Sequence, residues 1–167
     1  NDLKPNRLER AKRLISNVSD KFPNDNFGLV IFSSNAFMQC PLTYDKKYFK
    51  KMLSFCSPKL VPRGGTNLFP ALEMSLERLL HRDQVPLNSK IIVLVSDGED
   101  FGDEMETIAA KIKGNDIKIF CIGVGSEQGG KIPYGNGYKR DYNGKIIKTS
   151  LNKNALTKLA NITDGEY

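Results

Sequence analysis

The run Ile91-Ile92-Val93-Leu94-Val95-Ser96-Asp97-Gly98-Glu99-Asp100 decides the fold of this chain. Successive branched aliphatic residues leave no polar face, the pattern of a strand covered on both sides in a parallel sheet. A polar loop follows at once, so Asp97 stands at a strand's carboxyl end, where open α/β sheets gather their ligands. Beyond it, Met105, Ile108, Ala109 and Ile112 share one face of a helix, and Asp103 with Glu106 has the spacing of a capping box. Asn115-Asp116 ends that helix, and Ile117 to Val124 forms a second buried strand. Strand, helix and strand in this order predict a right-handed crossover and a mostly parallel sheet between helical layers.

Upstream, Leu68, Leu72, Leu76, Leu79 and Leu80 line a helix that follows a Pro- and Gly-rich loop over 57–66. Asp45 caps a helix running to about Phe55. Phe27 to Phe32 reads as a short strand buried on both faces, Ser33-Ser34-Asn35 as a tight turn, and Ala36 to Cys40 as a hairpin partner stopped by Pro41. Leu8, Ala11, Leu14, Ile15 and Val18 repeat at helical spacing after Pro5. Downstream, 125–137 is a glycine-rich loop, and Asn143-Gly144 between 138–142 and 145–149 is the strongest hairpin signal. Leu156, Leu159 and Ala160 sketch a last short helix, and Gly165-Glu166-Tyr167 begin a strand.

A chain of 167 residues with 40% hydrophobic and 26% charged residues suits one α/β domain with a real core. No apolar run approaches the roughly 18 residues that span a bilayer, and the start NDLKPNRLERAK has no signal-peptide core. A net charge of +6 and a pI near 9.2 favour acidic partners without identifying one. Lys46, Lys47, Lys50 and Lys51 recur at helical spacing opposite Tyr48, Phe49, Met52 and Leu53, which predicts a solvated helix face, with an anionic surface or nucleic acid as the alternative. Cys40, Cys56 and Cys121 lack metal-site spacing. Cys121 is expected in the core, and a Cys40–Cys56 bridge stays open.

Two loops carry oxygen donors suited to a hard divalent cation. In Arg63-Gly64-Gly65-Thr66-Asn67 the glycines allow close backbone approach, and Thr66 either presents its hydroxyl to a ligand or caps the next helix. Asp97-Gly98-Glu99-Asp100 either holds the cation or satisfies a helix dipole. Catalytic readings are weaker. His81 is the single imidazole, set among Arg82 and Asp83, so a cysteine or serine nucleophile lacks its usual base. Gly123-Val124-Gly125 lacks a third, helix-opening glycine, and Gly64-Gly65-Thr66 lacks the lysine of a phosphate loop.

At these loops the sequence becomes recognisable. Gly65-Thr66-Asn67-Leu68 followed by Ala71-Leu72, then Val93 to Asp100, resembles the von Willebrand factor type A family. Asn6-Arg7-Leu8 with Ala11-Lys12, Gly28 to Phe32, Ala36-Phe37 with Gln39 to Thr43, and Gly123-Val124-Gly125 before Lys131-Ile132-Pro133 are similar to bacterial Bat-type aerotolerance proteins. The resemblance covers nearly the whole chain, 1–167 as one partial domain. It implies a three-layer, Rossmann-like fold with a mainly parallel sheet and one antiparallel edge strand.

The resemblance also implies a metal-ion-dependent adhesion site. Such a site joins a D-x-S-x-S loop to a threonine and an aspartate on two further loops, binds magnesium, and completes its shell with a protein partner's acidic side chain. Thr66 and Asp97 match the second and third loops as metal ligands, with Gly65, Asn67, Gly98 and Glu99 as their ligand-binding neighbours. No D-x-S-x-S occurs in this sequence, so the first central strand and the last helix are expected to be missing and Mg2+ binding to be weak or absent. The expected function is a non-enzymatic protein-interaction module, with nucleic acid not the first choice. The resemblance places the parent protein in a bacterial inner membrane, with this domain periplasmic and anchored by segments outside this chain. A sheet without its central strand is expected to close up or to borrow a strand from another copy.

Overall fold

The computed structural model describes residues 2–61, 66–80, 89–99, 104–135 and 137–167. Asn6 opens helix α1, Arg7–Lys21, by accepting the Glu9 amide through its side-chain oxygen. Strands β1, Phe27–Phe32, and β2, Ala36–Thr43, form an antiparallel hairpin about the 33–35 turn. Pro41 does not stop β2 as the sequence predicts. The pairing slips where Phe27 faces Thr43 and Leu29 faces Cys40, so Pro41 sits in a bulge, where a residue without an N–H costs no ladder bond.

Asp45 caps α2, Lys46–Phe55, through the Tyr48 amide at 2.9 Å. Helix α3, Phe69–Leu80, leads to β3, Lys90–Ser96, and α4, Met105–Lys113, connects β3 to β4, Ile117–Gly123. β3 and β4 are parallel and in register from Lys90–Ile117 to Ser96–Gly123. Asp103 of the expected capping box lies outside the described residues, and Glu104, at the α4 cap position, makes no side-chain cap bond.

The chain from β4 to the last helix is an excursion of two small hairpins. β5, Gly130–Lys131, pairs with β8, Lys148–Thr149, and β6, Pro133–Tyr134, pairs with β7, Gly137–Tyr138. The Asn143-Gly144 turn forms, closed by the Arg140–Ile146 bridge, but of its expected flanks Tyr138 pairs with Pro133 and Lys148–Thr149 with Gly130–Lys131. Helix α5, Lys153–Ile162, is capped by Asn152. After it the chain docks on the outer edge of β4: the Ile119 amide donates to the buried Thr163 hydroxyl at 3.0 Å, and the Cys121 amide to the Glu166 carbonyl at 2.8 Å. Gly165 is required there, because a Cβ would sit 2.0 Å from the Ile119 carbonyl oxygen.

The main core lies between α3, α4, α5 and one face of β3 and β4, where Leu72, Leu76, Ile108, Ile112, Ile119 and Leu159 are almost fully buried. A smaller core of Cys40, Phe49 and Leu53 joins α2 to the β1–β2 hairpin. All three cysteines are free and buried, so the Cys40–Cys56 bridge is not formed. Burial raises each thiol pKa, that of Cys121 to about 11.

The continuous sheet that the sequence predicts is absent among the described residues. Four two-stranded sheets stand in its place, and β1–β2 is not hydrogen-bonded to β3–β4. Between them lies a partly open apolar slot of about 790 Å3, lined by β1, by β3 and by Leu8, Ala11, Ile15 and Val18 of α1. The predicted closing-up of the sheet therefore does not occur. α2 and α3 already pack on the two hairpin strands and α1 packs on α2, so closing the slot would require breaking those contacts. Burial follows from this gap. β1 is only half-buried, and β3 buries Ile92 and Leu94 while Ile91 and Val93 are 51% and 39% exposed, rather than being covered on both faces.

Candidate functional site

The carboxyl ends of β3 and β4 lie side by side, and Arg7 and residues 149–152 meet the loop that follows β3. Arg7 is the centre of the cluster. As the first residue of α1 it sits where the helix dipole disfavours a cation, and its guanidinium instead turns outward to acceptors. Nε and Nη2 hold Asp2 in a bidentate pair at 2.8 and 2.9 Å, Nη1 donates to Asp97 Oδ2 at 2.9 Å, and Nη1 and Nη2 donate to the Thr149 hydroxyl and carbonyl at 3.1 and 3.0 Å. Five N–H groups thus meet five acceptors, the full capacity of a guanidinium.

Asp2 is buried, with 5% of its side chain exposed, and also accepts from the Ser126 amide and hydroxyl. The Arg7 hydrogen bond outweighs burial and holds this carboxyl far below the usual carboxylate range, while the Asp2 hydrogen bond raises the Arg7 pKa.

Asp97 is placed by backbone as well as by charge. The Asn152 amide donates to its carbonyl at 2.7 Å, the Thr149 hydroxyl donates to Oδ2 at 2.9 Å, and the Glu99 amide lies 3.3 Å from Oδ1. Its side chain keeps 27% exposure. Gly98 makes this loop possible. It adopts φ +76°, and a Cβ would meet the Asn152 carbonyl oxygen at 2.5 Å. Glu99 turns inward and accepts from the Ser150 amide and hydroxyl, tying the loop to the end of the excursion.

Of the second expected loop, the described Thr66 and Asn67 make no hydrogen bond to this network. Asn67, rather than Thr66, closes the start of α3, accepting the Phe69 amide at 3.0 Å, and its own amide donates to the Ser33 carbonyl at 2.8 Å. Thr66 is half-buried, and the amide at the start of the helix, that of Phe69, goes to Asn67 instead. Gly65, Arg63, His81 and Asp100 lie outside the described residues. Asp97, Gly98 and Glu99 are therefore brought together with Arg7, Asp2, Ser126, Thr149 and Ser150, five residues that the sequence reading did not select. One signal was available: an arginine at the first position of a helix, five residues after an aspartate, opposes the local dipole and asks for another partner.

The donor set can be judged against magnesium. A near-octahedral shell needs six oxygen positions, whereas the expected ligands are one hydroxyl and one carboxylate whose Oδ2 already accepts from Arg7 and Thr149. Among the described residues no group of three or more His, Cys, Asp or Glu side chains could hold a metal ion. The described residues do not by themselves fit a magnesium centre.

Comparison with known proteins agrees with this architecture. Over residues 1–99 the chain matches the model of the von Willebrand factor type A domain. The crystal structure of the conserved hypothetical protein BatB from Bacteroides thetaiotaomicron superposes with a TM-score of 0.92 at 33% identity, covering 99% of this chain and 80% of that one. An aerotolerance-related membrane protein from Bacteroides fragilis gives a TM-score of 0.91, also at 33% identity, over 99% of this chain and 82% of that one. An uncharacterized protein of Borreliella burgdorferi is 29% identical over 165 residues, 97% of this chain and 47% of its own length. This chain thus spans about half the length of the curated relatives it matches. The parallel β3–β4 pair, the loop at its carboxyl end and these matches together show that the chain belongs to the von Willebrand factor type A domain family.

Proposed function

We propose that this chain is the non-catalytic, protein-binding domain of a Bat-like aerotolerance protein, and that partners dock over the loops around Asp97. The kinship with Bat proteins supports an interaction module. The observation that carries the location is a residue held by Arg7, Thr149 and the Asn152 amide whose carboxylate still stays partly exposed. Such a cluster is rigid, polar and open on one side, which suits recognition better than turnover. No helix among the described residues is long and apolar enough to cross a membrane. Because a 33%-identical relative is described as a membrane protein, the proposal places the parent protein in the inner membrane and this domain on its periplasmic side.

The partner's matching group is an acidic side chain, which Asp97 alone would repel, so a bridging magnesium would need more ligands than Thr66 and Asp97 supply. Thr66 and Asp97 supply too few donors for tight binding, so this chain is expected to take magnesium only weakly. The test is capture from native membranes with the full-length protein, in magnesium and in chelator. A partner recovered by the wild type in magnesium, and lost on Asp97→Ala or on chelation, is the expected result. A partner retained by Asp97→Ala would place the docking surface elsewhere. Calorimetric titration of magnesium into this chain should show no tight binding, and a tight site would overturn the reading of its ligands.

A further inference from the structure

The basic helix face that the sequence singles out is partly engaged within the fold. Lys50 pairs with Asp20, and Lys46 donates to the Asp25 carbonyl while its ammonium lies 3.7 Å from the centre of the Phe27 ring. The positive excess lies instead on the excursion over residues 130–149. That stretch carries Lys131, Lys139, Arg140, Lys145 and Lys148 against one acidic residue, Asp141. All five basic side chains are exposed. Asp141 is the single counter-charge, and its Oδ1 accepts the Asn143 and Lys145 amides, both at 2.9 Å, inside the turn. Lys139, Lys145 and Lys148 have no ion pair among the described residues.

Aromatic side chains stand among these cations. Tyr134, Tyr138 and Tyr142 are 55%, 47% and 97% exposed. Tyr142 projects from the 141–144 turn and Tyr134 from the end of the other small hairpin. The ribbon beneath them is hydrogen-bonded, the Lys139 amide to the Ile132 carbonyl and the Ile147 amide to the Lys139 carbonyl, both at 2.9 Å. Its base is tied through Thr149 to Arg7. The tips are thus presented in a defined direction.

We propose that this excursion docks on an anionic phospholipid surface, with the lysines and Arg140 over the headgroups and the tyrosines at the water–lipid boundary. Tyrosine, with an apolar ring and a polar end, is enriched at that boundary, and long basic side chains keep their charge in the headgroup layer. The placement favours lipid over single-stranded nucleic acid. Bases are taken up on aromatic platforms within a basic groove, whereas Tyr142 stands in its turn 97% exposed and the Tyr138 ring already has the Lys131 ammonium 5.0 Å from its centre. The excursion shares Thr149 with the Asp97 cluster at its base, but the proposal does not depend on the function proposed for that cluster.

The test is flotation of this chain with vesicles of phosphatidylcholine alone and of phosphatidylcholine mixed with phosphatidylglycerol. Binding is expected only with the anionic lipid and should fall as salt rises. At roughly fivefold per cation near such a surface, Lys139→Glu with Lys145→Glu and Lys148→Glu should weaken binding by at least about 100-fold. Tyr142→Ala, at a side chain almost wholly in solvent, keeps the fold and should weaken it several-fold. Lys47→Glu with Lys51→Glu on α2 should leave it within about twofold after allowance for net charge. No binding to anionic vesicles at low salt would overturn the proposal. So would an equal loss from the α2 reversals, no loss from the excursion reversals or from Tyr142→Ala, or tighter excursion-dependent binding to single-stranded RNA than to vesicles.

Discussion

Arg7 and Asp97, 90 residues apart in sequence, meet at 2.9 Å, and the same guanidinium grips Asp2 with two further hydrogen bonds. One cation therefore joins the start of the first helix to the loop after β3 and, through Thr149, to the end of the hairpin excursion. The loop that carries the expected ligand-binding residues is held by charge as well as by backbone.

Removing that cation should be costly. Breaking a buried ion pair from one side costs roughly 3–5 kcal/mol. Arg7 and Asp97 retain 17% and 27% side-chain exposure, so screening reduces this, and Arg7→Ala is expected to lose about 2–3 kcal/mol in urea unfolding. Arg7→Lys should recover less than half, because an ammonium cannot reproduce the planar fork that engages Asp2 and Asp97 together. Wild-type stability in Arg7→Ala would show that the network does not hold the loop.

The same cluster sets the response to acid. Asp2 titrates far below its ordinary range because Arg7 stabilises its charged form. A depressed carboxyl stabilises the fold above its unfolded pKa of about 3.9, and that stabilisation is lost as pH falls from there toward the folded value. The wild type should accordingly lose stability below about pH 4 more steeply than Asp2→Asn does. Urea midpoints at neutral pH, about pH 4 and about pH 2.5 would show it, and parallel profiles would remove Asp2 from the explanation.

The slot between the two main sheets predicts an asymmetry in the core. Ile119 is fully buried, and Ile119→Ala should cost about 3 kcal/mol, within the roughly 2–5 kcal/mol range for such truncations. Ile91 lines the slot at 51% exposure, and Ile91→Ala should cost less than about 1 kcal/mol. Denaturant unfolding of both variants in this chain checks the difference. Equal losses would mean that the slot is filled in solution by another strand.

Most elements were legible in the sequence because their signals are local. The helical spacing of Leu8 to Val18, the Asp45 cap and the Asn143-Gly144 turn each depend on neighbours within a few residues. The run from Ile91 to Asp100 determined a parallel strand with a polar loop at its carboxyl end, and its motif with Gly65 to Leu68 identified the family. Pro41 misled, since whether a proline ends a strand depends on its pairing register, which β1 sets from across the hairpin. Asn67 took the cap that Thr66 was offered, because the Asn67 amide is fixed on the Ser33 carbonyl and brings its side chain to the Phe69 amide. Only the tertiary structure decided what surrounds Asp97. Hydrophobic periodicity reports which face of an element is covered, not which distant charges meet at its end. The meeting of Asp2, Arg7, Asp97 and Thr149 exists only once β3, β4 and α5 have packed and brought three loops to one place.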